Sequence, residues 1–155
     1  MLHITLLSIG KTNENFVKLG LEKYNTLLSK YCKFDNIELN DVKNANKLPV
    51  EKLKLTEAEL INQHLNEKAI VVYLDEKGKQ YDSHAFAKYL EKISVESSKI
   101  TFVIGGSYGL EHALLRKGDK LALSSMTFTH QMTRVILAEQ LFRAFTINHG
   151  TTYHH

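Results

Sequence analysis

The chain has 155 residues, 43% hydrophobic and 24% charged, with a formal net charge of +3 when its eight histidines are counted as neutral. That length suits one domain, residues 1–155, able to bury roughly 70% of its extended surface without staples. The single Cys32 excludes a disulfide framework and a cysteine-based zinc site, and no apolar run approaches the ~20 residues of a membrane span. The start, Met1 to Leu7, reads as a strand and not as a secretory leader, so a cytoplasmic location is expected.

Taken in order, Leu2 to Ile9 is apolar and β-branched and stops at Gly10, the pattern of a buried strand. Phe16, Val17, Leu21, Tyr24, Leu27, Leu28 and Tyr31 recur at helical spacing, with Asn13 as the expected cap. Phe34 to Leu39 reads as a second strand, and Asn40 to Val50, with the only proline, as a surface loop. Thr56 and Glu59 have the spacing of a capping box, predicting a helix that ends near Glu67. Ala69 to Leu74 is a near-continuous apolar run, hence a central strand, with Asp75 to Lys79 as its exit turn. Ser83 is expected to cap a helix carrying Phe86, Tyr89, Leu90 and Ile93. Ile100 to Ile104 is the next strand, Gly109 to Arg116 a short helix, and Lys120 to Leu123 the last strand. A long helix from Thr129 to Phe145 follows, and Thr146 to His155 shows no pattern. Alternating strands and helices predict an α/β fold, Rossmann-like, with a mostly parallel sheet and helices on both faces.

Two strand-to-helix turns stand out as ligand sites: Gly105-Gly106-Ser107 and Ser124 to Phe128. Ligands of open α/β sheets bind at the carboxyl ends of strands, where backbone amides gather. Neither turn has the spacing of a dinucleotide fingerprint or a P-loop, and Ser124 and Ser125 lie outside any G-x-S-x-G elbow. Two readings of the glycine pair stand side by side: close approach to a ligand, and a tight turn for packing. His130 opens the long helix, where the positive end favours a neutral imidazole. His149, His154 and His155 lack a completing cysteine or carboxylate, so no metal is expected. From His112 onward five Lys and Arg stand against two acids, with five histidines, an excess that favours an anionic partner.

Phe102 to Leu110, Leu123 to Arg134, Glu139 to Ala144 and the terminal Tyr153-His154 strongly resemble the RlmH family of SPOUT-class methyltransferases. The resemblance runs the full length, since Ile4 to Lys11 matches as well. It implies a C-terminal trefoil knot, an exception to the rule against threading. It implies S-adenosyl-L-methionine as methyl donor, with Leu74, Gly105, Gly106, Leu123, Ser124, Ser125, Met126, Thr127 and Phe128 as its binding residues. It implies N3 methylation of a pseudouridine, the position-1915 type, in 23S rRNA of the 70S ribosome, by a homodimer with the long helix in its interface. By the same resemblance Tyr153 and His154 are catalytic, near the methyl group and across the dimer in one arrangement. Candidates for RNA contact are His130, Arg134, Arg143 and His155.

The chain departs from the family pattern in two places. Thr129 stands where proline is common, and Thr152 and His155 replace the proline before, and the basic residue after, Tyr153-His154. Two other functions share much of this sequence pattern: a SPOUT methyltransferase acting on tRNA, and a non-catalytic ribosome-binding module that keeps the fold.

Overall fold

Five strands align in one all-parallel sheet in the computed structural model, which describes residues 1–155. In chain order the elements are β1 (His3–Ile9), α1 (Asn15–Leu28), β2 (Lys33–Leu39), α2 (Val50–His64), β3 (Ile70–Gln80), α3 (Ser83–Glu96), β4 (Lys99–Ile104), β5 (Asp119–Ala122) and α4 (His130–Asn148). The strand order is β2-β1-β4-β3-β5. The α/β expectation therefore holds, and parallel pairing follows because every pair of consecutive strands up to β4 is joined by a helical crossover.

Side-chain alternation along the strands divides the core between two faces. Ile4, Leu6, Val72, Ile100 and Phe102 point into a cluster roofed by α1, α3 and α4, through Leu28, Leu90, Leu137 and Leu141. Leu7, Ile9, Val71, Tyr73 and Val103 face the other way and meet Ala58 and Ile61 of α2. Each such fully buried aliphatic side chain contributes roughly 1.5–3 kcal/mol of transfer free energy, so both faces are needed to hold the sheet. No helix is long and apolar enough to cross a membrane.

Several local expectations are corrected. Helix α2 begins at Val50, behind Pro49 at the N-cap, so Thr56 lies mid-helix and its hydroxyl bonds back to the Lys52 carbonyl at 2.9 Å. The apparent capping box is a helix-interior coincidence of residue types. Asp75 to Lys79 is not an exit turn; it continues β3 past an irregularity at which Leu121 pairs first with Leu74 and then with Lys79. Asp82, not Ser83, caps α3, its carboxylate accepting from the Ala85 amide at 2.7 Å. The helix expected over Gly109 to Arg116 is reduced to a 3-10 turn at His112–Leu114. Asn13 does not cap α1; its amide donates to Gln131 Oε1 at 3.0 Å, joining the start of α1 to the start of α4.

Candidate active site

The strand order puts β4, β3 and β5 side by side, and the carboxyl ends of β4 and β5 flank β3 at its irregularity after Leu74. Leu74 pairs with Leu121, and Tyr73 with Val103, which brings Leu74, the Gly105-Gly106 turn and the segment after β5 to that place. No turn or loop hydrogen bond to another backbone group is made by Leu123 to Phe128. Local side-chain bonds shape the segment instead. Ser124 Oγ accepts from the Met126 amide at 3.0 Å, and the Thr127 hydroxyl donates to Glu76. Met126 is 75% exposed. Apart from the Met126 amide, the amides and carbonyls of this segment have no protein partner, a fit for a ligand read through its backbone contacts.

The glycine pair answers to packing as well as to access. A Cβ on Gly105 would lie 2.7 Å from Leu110 Cδ2, and one on Gly106 would meet the Glu57 carboxylate, with Cδ and Oε1 at 3.0 Å. The protein itself therefore fills the side-chain space at both positions, leaving their backbone as the feature to offer a ligand.

The start of α4 is fastened to the end of β1. Thr129 caps the helix, its hydroxyl oxygen accepting from the Met132 amide at 3.1 Å. Gln131 grips both sides of the β1–α1 turn, taking the Asn13 amide and donating to the Lys11 carbonyl at 3.1 Å. Arg134, expected to face RNA phosphate, is 0% exposed. Its guanidinium donates to Thr12 Oγ1 at 2.9 Å and to the Ile9 and Gly10 carbonyls at 3.0 and 2.9 Å, with Glu38 at 3.5 Å. An arginine in that position clasps the fold and reaches no external phosphate. Glu38 completes it: burial pushes its carboxyl up, but the Thr12 hydroxyl and amide, Asn36 and Arg134 together hold it below the ordinary range. His130 is half-buried, and burial first, then Arg134, presses its pKa down against the opposing pull of Asp41. The direction is the one that the sequence reading took from the helix end, but burial and a neighbouring cation are its causes.

The tail folds back onto the second half of α4. Arg143 donates through Nε and Nη2 to Glu139 Oε1, at 2.9 and 2.5 Å, and through Nη1 to His154 Nδ1 at 2.9 Å. Arginine carries only donors, so Nδ1 accepts, and a neutral His154 ring keeps its proton on Nε2. The guanidinium lies 4.9 Å from the Tyr153 ring centre, and that ring packs edge-on against Phe142 at 4.8 Å. His154 meets His84 of α3 edge-on at 4.9 Å, and His155 is exposed. Arg143 follows His130 by thirteen residues, about 20 Å at the helical rise, so the tail contacts on Arg143 lie that far along α4 from the helix start. No group of three or more His, Cys, Asp or Glu side chains could hold a metal ion.

Sequence reading passed over Thr12, Glu38 and Gln131; only Thr12 lies near the glycine after β1, and the other two reach that turn through the fold. It also passed over Glu57, although this acid occupies the helical stripe Leu53, Glu57, Ile61, where an apolar residue is expected.

The all-parallel sheet, the segment after β5 and the ring-bearing tail set out two separate candidate sites on an α/β fold. Residues 2–154 match the family model described as "Predicted SPOUT methyltransferase", and the chain belongs to that family of methyltransferases. Among curated proteins it is similar to ribosomal RNA large subunit methyltransferase H of Acetivibrio thermocellus, Clostridium perfringens and Clostridium acetobutylicum. Each is 41% identical, with 99% of both chains covered.

Proposed function

We propose that this protein methylates N3 of a pseudouridine, of the position-1915 type, in 23S rRNA on the assembled 70S ribosome, using S-adenosyl-L-methionine. The observation that carries the reading is the full-length likeness to proteins named large-subunit rRNA methyltransferases. The backbone from Leu123 to Phe128, free of protein partners except at the Met126 amide, supports it. Leu74, Gly105, Gly106 and Leu123 to Phe128 hold the donor, mainly through amides and carbonyls. Bound there, S-adenosylmethionine supplies an electrophilic methyl on a sulfonium, so the protein's contribution is orientation and electrostatics.

The N3–H of the target must lose its proton as N3 forms the new bond to carbon. His154 and Tyr153 perform the recognition and the proton handling. Held by Arg143, His154 presents Nε2–H, a donor suited to a pyrimidine carbonyl; released, its Nδ1 accepts the proton. Tyr153 stacks on or hydrogen-bonds the base. The 20 Å offset along α4 supports a homodimer in which the tail of one protomer completes the donor site of its partner. The trefoil knot belongs to the same proposal; the packing of α4 against both α1 and α3, after the edge strand β5, is compatible with it. His130, Arg143 and His155 remain the RNA-facing candidates, and Arg134 does not. A ribosomal substrate implies the cytoplasm.

The test is methyl transfer from labelled S-adenosylmethionine to unmodified 70S ribosomes, free 50S subunits and bulk tRNA in parallel. Label mapped to one pseudouridine of 23S rRNA in 70S particles is expected. Label in tRNA would overturn the target, and donor binding without any transfer would leave a non-catalytic ribosome-binding module.

A further inference from the structure

Helix α3 carries a stripe of basic side chains. His84, Lys88 and Lys92 follow one another at four-residue spacing, which sets them along one side of the helix. Both lysines are exposed, and neither makes an ion pair; Glu91, between them in sequence, pairs with neither. Two ammonium groups four residues apart repel, so the stripe costs its own helix a little stability.

That stripe forms one wall of a groove of about 520 Å³, and the end of α4 forms the other. There Asn148 Nδ2 donates to the Ala87 carbonyl at 3.0 Å, which fixes the end of α4 against α3. Its amide oxygen is left to accept from a ligand. His84 lines the groove, and its ring meets that of His154 edge-on at 4.9 Å. The groove therefore opens directly beside the catalytic tail of the proposed reaction. Ammonium groups bind phosphate oxygens as point charges, and an amide oxygen accepts from a ribose 2′-hydroxyl. Both features together suit an RNA backbone better than an acidic protein surface, which would bring carboxylates and no donor for Asn148.

We infer that the α3–α4 groove carries the rRNA strand adjoining the target nucleoside, with Lys88 and Lys92 on its phosphates and Asn148 on a ribose. This rests on the reading of Tyr153 and His154 as the residues that meet the base. The strand would leave the tail at His84 and run along α3 toward Lys92.

The test is methyl transfer to unmodified 70S ribosomes by full-length Lys88→Ala/Lys92→Ala, with ribosome binding followed over a range of salt. The KM for ribosomes should rise about tenfold with kcat within about twofold, and the slope of log affinity against log salt should become shallower by about 1.4, as for two single-strand phosphate contacts. Affinity for S-adenosylmethionine should match wild type. Stability to urea should be no lower than wild type, because a repulsion is removed. Lys43→Ala/Lys47→Ala, equal in charge and exposed on the β2–α2 connection, should leave KM within about twofold. Wild-type KM and salt slope in the α3 variant would overturn the inference, and so would an equal effect in the control, which would point to net charge alone. A raised KM with an unchanged salt slope would also overturn it, assigning the groove to a ribosomal protein. If the wild-type protein neither methylates nor binds ribosomes, the functional reading fails by itself. Affinity for a labelled oligouridylate then decides the groove: the α3 variant must bind more weakly than the control, and equal binding overturns the inference.

Discussion

Helix α4 carries two arginines nine residues apart, and they do opposite things. Arg134 is wholly buried and bonded to two backbone carbonyls and Thr12, with Glu38 close by. Arg143 is partly exposed; it bonds Glu139 on its own helix and holds the tail residues Tyr153 and His154. The side chains are identical and both lie on a positively charged C-terminal segment. What separates them is the surface each turns toward: the carbonyls ending β1 in one case, the C-terminal tail and solvent in the other. The first half of the helix is therefore an anchor to the sheet, and the second half holds the tail.

Removing each arginine tests that division. Arg134→Met leaves the Ile9 and Gly10 carbonyls without their donor and Glu38 without its cation, and should cost about 3–5 kcal/mol, as breaking a buried ion pair does. Urea denaturation measures it, and a loss under about 1 kcal/mol would show that the clasp is dispensable. Arg143→Ala should leave stability within about 1 kcal/mol, as for a partly exposed pair, while methyl transfer falls by about 10²-fold through loss of a placed donor. A folded, fully active variant would remove the tail from the chemistry.

Smaller changes sharpen the picture at the start of the helix. Thr129→Ala removes the side-chain acceptor for the Met132 amide and should cost about 1 kcal/mol in the same denaturation assay. His130 has its pKa lowered in the folded state, chiefly by burial, so the unfolded chain binds the proton more readily. Its contribution is present above the ordinary histidine range and is lost as pH falls from about 6.5 toward the folded value. Wild-type stability followed from pH 7 to 5 should decline more than that of His130→Gln; parallel curves would mean that His130 titrates alike in both states. Glu38, depressed in the fold, acts lower, its contribution lost only as pH falls through its folded value.

Much of the fold was legible because its signals are local. All five strands were found, β2 despite its polar Asp35, Asn36 and Glu38, and the long helix was found within a residue at its start and three at its end. The failures are instructive. Thr56 to Glu59 has the residue types of a cap, but Pro49 had already started the helix, and an interior threonine bonds backward instead. Asp75 to Lys79 looks like a turn because it is polar, yet pairing with Leu121 and the following residue carries it on as a strand. At the site, the residues Leu74, Gly105, Gly106 and Leu123 to Phe128 do gather beside the irregularity of β3. Arg134 could not be told from Arg143 by type or spacing.

The sequence by itself determined the alternation of strands and helices, the turns at the ends of β4 and β5, and the likeness to a methyltransferase family, because hydrophobic period and motif order are written in neighbouring residues. Only the tertiary structure decided which charges serve the fold and which are free to act. Arg134 meets Ile9 and Gly10 across more than 120 residues of chain, and Glu57 meets Gly106 across a packed helix face. Burial and partnership of a charge depend on what the rest of the chain brings to it, and that information exists only once the sheet has formed.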